Sequence, residues 1–160
     1  MDFKTSVYEA DVEEEDIKNQ YLIFKLASDS YGLDIKNVTE IVNIQKITVV
    51  PDLPQYIKGI ISLRGKIIPV IDVRIRFGME AIAYNDRTCI IIIDWEGFSV
   101  GLIVEGVSDV LTFNDDDLLT PPEFNNEENK FIKFIGKVGD ELKLILNCET
   151  LLSDEDKNLL

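Results

Sequence analysis

The sequence contains no histidine, the side chain that most often acts as a general base and as a nitrogen ligand for metals. This absence excludes the Ser-His-Asp and Cys-His arrangements of many hydrolases. Neither a GxxxxGK[ST] loop nor a GxGxxG loop is present, so the standard glycine-rich sites for nucleotide phosphates are also missing. These absences remove most hydrolytic chemistry, and we expect no cofactor.

Basic residues are scarce, with 16 Lys and Arg against 30 Asp and Glu, giving a formal net charge of −14. Such a surface repels phosphate backbones, so nucleic acid is not expected as a partner. Long apolar runs are missing too: the longest, around residues 90–93, is far too short to span a bilayer. The acidic N-terminus is unlike a signal peptide. These features predict a cytoplasmic protein without direct membrane insertion.

Neither the two cysteines nor the acidic clusters have the spacing of a metal site. Cys89 and Cys148 lie in apolar surroundings without a CxxC motif, which favours buried, reduced thiols. The acidic residues 115–117 and 154–158 lack the turn glycine and the bidentate glutamate of a calcium loop. We expect no metal, although a pair of catalytic carboxylates brought together only by the fold stays an open alternative.

The chain divides into a short acidic arm and a β-rich body. Residues 1–18 include the run Glu13-Glu14-Glu15-Asp16 and show little apolar periodicity, which predicts a flexible arm. From Gln20 onward, short runs of Ile, Val, Phe and Tyr alternate with Gly, Pro, Asn and Asp. This pattern predicts an all-β fold with short helices, ending in a C-terminal helix or tail over residues 149–160.

Three β-hairpins are predicted from tight turns that contain glycine. Their turns are Arg64-Gly65, Trp95-Glu96-Gly97 and Gly139-Asp140. Pro69 falls within the second strand of the first hairpin and cannot donate a ladder hydrogen bond. Its strand is therefore expected at a sheet edge or at a bulge.

An internal repeat relates the two halves of the body. Residues 32–42 align with residues 101–111, and each copy is followed by an aromatic-Ile-Lys signature, Tyr56-Ile57-Lys58 or Phe131-Ile132-Lys133. The repeat predicts two similar units, a first barrel over about residues 19–83 and a second over about 84–150. Because units of this size bury little apolar surface alone, they should pack together as small five-stranded barrels.

The stretch from Gln20 to Leu152 resembles the CheW family of chemotaxis coupling proteins. The motifs that carry the resemblance are residues 31–35 with Val38 and Glu40, residues 50–59 and 63–72, residues 84–86 and 101–111, and Pro121-Pro122-Glu123-Phe124. The resemblance implies one CheW-like domain over residues 19–152, built from two intertwined SH3-like five-stranded β-barrels. It also implies that the protein has no enzymatic activity.

The resemblance further implies an adaptor that couples the histidine kinase CheA, through its regulatory domain, to the cytoplasmic tips of methyl-accepting chemoreceptors. Such a protein would be a monomer in isolation, recruited from the cytoplasm to membrane-bound receptor arrays. Val38, Glu40 and Ile41 correspond to the kinase-binding positions. The receptor-binding positions correspond to Gly59, Arg64, Cys89, Ile90 and Val107.

Several alternatives stay open at this point. Arg64 could keep its turn soluble or could recognise a carboxylate of a partner. The apolar positions could belong to the core as easily as to an interface. Glu105 and Phe134 depart from the family pattern, which commonly has aspartate and glycine there. A small barrel that binds a ligand or nucleic acid, or a carboxylate-based hydrolase, would be the competing functions.

Overall fold

The computed structural model describes residues 18–122, 130–152 and 158, and this part of the chain is dominated by β-structure. The short helical segments that accompany the strands include Ile35–Asn37, Val73–Arg76, Asp115–Asp117 and Cys148–Leu151. The strands are β1 (Gln20–Leu26), β2 (Asp29–Asp34), β3 (Val38–Asn43), β4 (Ile57–Leu63), β5 (Lys66–Asp72), β6 (Cys89–Trp95), β7 (Phe98–Val104), β8 (Gly106–Thr112), β9 (Leu118–Leu119), β10 (Ile132–Val138) and β11 (Glu141–Leu146). The all-β fold and the three hairpins are thus confirmed.

Within the described residues, none of the helices has the length and apolar character needed to cross a bilayer.

The strands form two sheets, and each sheet takes strands from both halves of the chain. The order is β8-β1-β2-β11-β10-β9 in the six-stranded sheet and β3-β6-β7-β5-β4 in the five-stranded sheet. The hairpin β1–β2 therefore completes a sheet made otherwise from the second half, and β6–β7 completes the sheet made from the first. The units expected over residues 19–83 and 84–150 each contribute to both sheets, so a boundary near residue 83 does not separate them.

The two sheets repeat the same topology and register. In the five-stranded sheet, β5 lies parallel to β7 with Val70 opposite Gly101; in the other, β11 lies parallel to β2 with Ile145 opposite Gly32. The last hairpin of each half, β4–β5 or β10–β11, is closed by an equivalent backbone hydrogen bond. Asp72 N–H donates to Tyr56 O in the first half and Asn147 N–H donates to Phe131 O in the second, both at 2.8 Å. The internal repeat is therefore a structural duplication.

The two edges of each sheet are brought together by the segment that follows its edge strand. After β3, Thr48 exchanges two backbone hydrogen bonds of 2.9 Å with Ile60 on β4. After β8, Leu119 pairs with Ile135 on β10. Five strands were expected in each barrel, whereas one sheet has six. The additional strand is β9, because Leu118 and Leu119 pair with Gly136 and Ile135 of β10.

Apolar residues on successive positions of β6 point to two different cores. Ile90 and Ile92 belong to a core within the five-stranded sheet, whereas Ile91 and Ile93 belong to a larger core between the sheets. All four are at most 3% exposed. A strand buried on both faces has no need for polar alternation, which explains the uninterrupted isoleucine run.

Pro69 was expected in a strand that lies at an edge or carries a bulge, and the β4–β5 ladder has a register shift between Ile57 and Gly59, next to the Ile60–Pro69 pair. Its strand β5 is an interior strand, between β7 and β4. Ile60, opposite Pro69, directs its backbone groups to Thr48, so the Ile60–Pro69 pair is not hydrogen-bonded and the nitrogen of Pro69 faces β7. The ladder between β5 and β7 begins only at Val70. The missing N–H thus shortens an interior ladder.

The fold predicts a difference between two glycines with positive φ. A Cβ atom on Gly59, at φ +146°, would lie 2.1 Å from the carbonyl oxygen of Thr48, whereas a Cβ on Gly139, at φ +60°, would meet no atom within 4 Å. We expect Gly59→Ala to lower the free energy of unfolding by more than about 2 kcal/mol. Gly139→Ala should cost about 1 kcal/mol, from backbone strain alone. Denaturant unfolding of both variants checks this, and equal losses would contradict it.

The burial of Cys148 predicts a loss of stability at alkaline pH. Both cysteines are free and buried, and burial raises the pKa of Cys148 from its ordinary value of 9.0 to about 11. Between these two values the unfolded thiol releases a proton that the folded protein retains, so stability falls as the pH rises. The Cys148→Ser variant should lose stability less steeply between pH 9 and 11. Parallel pH profiles for the variant and the wild type would contradict the assignment.

Candidate functional site

Glu40 on β3 is a largely buried carboxylate at the mouth of the five-stranded sheet. A register shift between Val38 and Glu40 turns Glu40 towards Ile92, whose side chain lies in the core of that sheet. Only 8% of Glu40 is exposed. A carboxylate in such apolar surroundings loses hydration, so it requires a compensating charge or donor.

Arg64 supplies that charge from the turn between β4 and β5. Its guanidinium Nη1 lies 2.5 Å from Oε2 of Glu40, and the two side chains are 74% and 11% exposed. Arg64 and Gly65 have φ angles of +50° and +80°, the pattern of a two-residue hairpin turn that normally prefers Asn and Gly. The chain therefore holds an arginine in a strained position from which its side chain reaches the neighbouring edge strand β3.

The expected kinase-binding residues differ in their accessibility. Val38 is fully buried in the core between the sheets, and Ile41 is partly buried against the same core. Glu40 and Ile41 reach the surface; Val38 lies beneath it. A depression of about 140 Å³ beside Glu40 is lined by the following residues: Thr39, Leu63, Arg64, Lys66, Ile68, Ile92 and Ser99.

The expected receptor-binding residues do not form one cluster. Cys89 and Val107 are neighbours at the junction of the sheets, where the backbone of Val107 hydrogen-bonds the thiol; burial nevertheless raises the pKa of Cys89. Ile90 is fully buried in the core of the five-stranded sheet, and Gly59 lies against Thr48. Arg64 immediately precedes the start of β5, and Cys89 is the first residue of β6. Because β5 is parallel to β7 and β6 is antiparallel to β7, these two residues lie at opposite ends of the sheet.

The duplication does not repeat the Glu40–Arg64 ion pair. Asp109 is at the position equivalent to Glu40 and is exposed, and Gly139 replaces the arginine in the corresponding turn. In contrast, Val38 and Val107, which were assigned to different partners, are equivalent positions of the two units. The charged feature is thus particular to one unit, whereas the two expected binding surfaces are related by the repeat.

The two departures from the family pattern both have structural roles. Oε2 of Glu105 accepts hydrogen bonds from the backbone N–H of Ala27, at 2.5 Å, and from Nη1 of Arg74, at 3.2 Å. It thereby ties the β1–β2 turn to the short helix Val73–Arg76. Phe134 packs against the core within the six-stranded sheet, beside a register shift in β10. The larger side chain is accommodated within its own sheet.

The other buried carboxylate, Asp72, caps a helix. Its Oδ1 accepts from the Ile75 backbone N–H at 3.3 Å, and its Oδ2 accepts from the Tyr84 hydroxyl at 2.7 Å. Burial, followed by this hydrogen bond, raises the pKa of Tyr84. Across residues 18–122 and 130–152, no group of three or more His, Cys, Asp or Glu side chains is placed to hold a metal ion.

Two interleaved sheets of five and six strands, related by duplication, define a class of duplicated all-β proteins. The sequence profile of the CheW-like domain matches residues 20–156. "Chemotaxis protein CheW" of Klebsiella aerogenes is 34% identical over 146 residues, covering 91% of this chain and 88% of that protein. The Bacillus subtilis protein of the same description is 33% identical over 135 residues, covering 84% and 86%.

A solved structure agrees with this assignment. The crystal structure of the scaffolding protein TtCheW from Thermoanaerobacter tengcongensis is similar with a TM-score of 0.82 and 37% identity, covering 89% of this chain and 97% of that one. The chain belongs to the CheW family of chemotaxis scaffold proteins.

The geometry of the ion pair predicts an energetic coupling between Arg64 and Glu40. Arg64→Asn removes the charge while keeping a residue that tolerates positive φ, and Glu40→Gln removes the opposite charge. We expect a coupling free energy of about 1 kcal/mol in a double-mutant cycle of unfolding free energies, since one partner is exposed. Additive losses in the double variant would show that the two side chains are energetically independent.

Proposed function

We propose that the protein is a non-catalytic adaptor that couples a CheA-type histidine kinase to chemoreceptors and lets receptor state control kinase activity. Membership of the CheW family is the observation that carries this proposal. An adaptor needs two separate surfaces and no bond chemistry. Binding both partners raises their effective concentration for each other and couples their conformations. In this role the protein would act in the cytoplasm, at membrane-bound receptor arrays.

The proposed kinase surface is the end of the five-stranded sheet around Glu40 and Ile41. Val38 would support this surface from beneath, since its side chain is fully buried. The family resemblance counts Arg64 among the receptor-binding positions, but we propose that it belongs to this kinase surface, because its ion pair with Glu40 fixes both side chains in one arrangement. A shaped, partly charged surface that is already ordered loses little conformational entropy on binding.

The proposed receptor surface lies at the junction of the two sheets, around Cys89 and Val107. Both residues are close to an exchange of hairpins, where strands of the two units meet. Gly59 and Ile90 would act indirectly, by allowing the Thr48–Ile60 closure and by filling the adjacent core. The equivalence of Val38 and Val107 supports an origin of the two surfaces in one duplicated surface.

The kinase surface is tested by calorimetric titration with the isolated regulatory domain of the cognate kinase. Ile41→Ser should raise the Kd about tenfold or more, because it removes an apolar contact from the proposed interface. Val110→Ser is the matched control, since Val110 is the equivalent residue of the second unit and is 39% exposed. Absence of binding by the folded wild type would contradict the proposed function, and equal effects of both variants would contradict the proposed surface.

The receptor surface has its own test. Val107→Ser should reduce co-sedimentation with receptor-containing membranes while leaving the kinase titration within about twofold of the wild type, because the two surfaces are separate. A parallel loss of both activities, with an unchanged thermal melt, would contradict two independent surfaces.

A further inference from the structure

The two hairpins of the five-stranded sheet diverge at the end that carries Arg64. Strands β5 and β7 are paired only from Val70 and Gly101 onward. Before that point, residues 66–69 and 97–100 form the walls of a cleft of about 320 Å³. Since a water molecule occupies roughly 30 Å³ in the liquid, the volume of the cleft corresponds to several water molecules, which is enough room for a few side chains.

Pro69 accounts for the opening of this cleft. In the six-stranded sheet the equivalent residue is Leu144, which pairs with Tyr31 and starts the parallel ladder one residue earlier. The nitrogen of Pro69 faces β7 but carries no hydrogen, so an equivalent pair with Val100 cannot form. The cleft is therefore a feature of one unit of the duplication and follows from one residue.

Both walls of the cleft present backbone groups that the ladders leave unused. Leu63 and Lys66 flank a two-residue turn and form a hydrogen-bonded pair. Since bonded and non-bonded pairs alternate along an antiparallel ladder, the next pair, Ser62 and Ile67, is not bonded, and the backbone N–H and C=O of Ile67 point away from β4. The same alternation directs the backbone of Ser99 away from β6 and towards β5. Paired N–H and C=O groups facing each other across a gap are complementary to an extended polypeptide.

The rim of the cleft is apolar, and Lys66 lies in one of its walls. Ile67 is 64% exposed and Phe98 is 52% exposed, an unfavourable arrangement for two large apolar side chains in water. The turn that leads into the other wall carries Glu96, next to Gly97, and Asp94 lies opposite Ser99. The rim therefore favours a segment with an apolar side chain, and Lys66 can pair with a carboxylate of that segment.

We propose that this cleft receives an extended segment of the kinase's regulatory domain, with an apolar side chain between Ile67 and Phe98 and a carboxylate near Lys66. The inference rests on the proposed function and extends it to residues that the family resemblance did not assign. The cleft and the depression beside Glu40 share Lys66, Ile68 and Ser99, so the two form one continuous surface.

The duplication provides a matched pair of variants for the test. Ile67 and Leu142 are equivalent residues of the two last hairpins and are 64% and 56% exposed. Ile67→Ser should raise the Kd for the kinase regulatory domain about tenfold or more in calorimetry, and Leu142→Ser should leave it within about twofold. Both variants should keep the wild-type thermal melt, because neither side chain is in a core.

The outcomes of this titration separate the two proposals. Binding by the wild type with equal affinities for Ile67→Ser and Leu142→Ser would overturn the cleft while leaving the adaptor function in place. Failure of the folded wild type to bind would overturn both. If Ile67→Ser instead abolished self-association in sedimentation velocity and left kinase binding unchanged, the occupant would be a second copy of this chain, and the assignment to the kinase would be wrong.

Amide hydrogen exchange distinguishes an inserted strand from a simple apolar contact. In the complex, the amide protons of Ile67 and Ser99 should exchange at least about tenfold more slowly than in the free protein, because they gain hydrogen-bond partners. Unchanged exchange at both amides in a saturated complex would overturn the insertion of an extended segment.

Discussion

The exchange of hairpins between the two repeats is the constraint on which the rest of the structure depends. Strands β1 and β2 complete the sheet of the second half, while β6 and β7 complete the sheet of the first. Between the sheets lies the largest core, to which β1 contributes Leu22 and Phe24 and β6 contributes Ile91 and Ile93. Neither sheet can be finished without the other, so the body should unfold as one cooperative unit. For an adaptor, this arrangement fixes the distance and orientation between two binding surfaces.

Within this shared scaffold, a few substitutions have made the two units different. The first unit has Glu40, Arg64 and Pro69 where the second has Asp109, Gly139 and Leu144. The glutamate is buried and the arginine compensates it from a turn whose φ angle disfavours a side chain. The proline shortens the neighbouring ladder. All three changes affect the same end of the five-stranded sheet, which is why we assign partner recognition to that end.

The strands, turns and duplication could be predicted from the sequence because their signals are local. Alternating apolar runs, glycine turns and the repeated motifs all lie within short segments of the chain. The exchange of hairpins could not be predicted from these local signals, since β1 and β6 have similar apolar patterns and would fit either sheet; only the family resemblance implied intertwined barrels. Residues 24 positions apart, such as Glu40 and Arg64, carry no sequence mark of their contact. A comparison of the two repeats would have singled them out, because only one repeat has the pair.

The family resemblance assigned roles that pattern analysis could not, and the structure refines their meaning. Val38 and Ile90 are fully buried, so they can influence binding only through the shape of the surface above them. Their strands are apolar on both faces, which removes the alternation that would separate core from surface positions. Pro69 was expected to mark an edge or a bulge; it lies in an interior strand whose ladder with β4 has a register shift. Its missing N–H does remove a ladder hydrogen bond, as expected for proline in a strand. Which neighbouring strand loses that bond, here β7, depends on the topology of the sheet.

One end of the five-stranded sheet is the proposed kinase-binding surface. The most direct measurement is a chemical-shift map of the isotopically labelled protein titrated with the kinase regulatory domain. We expect the shifts to cluster at Glu40, Ile41, Arg64, Ile67 and Phe98, and the equivalent turn at residues 139–142 to stay unchanged. Shifts confined to residues 139–142, or spread over both units alike, would contradict the proposed surface.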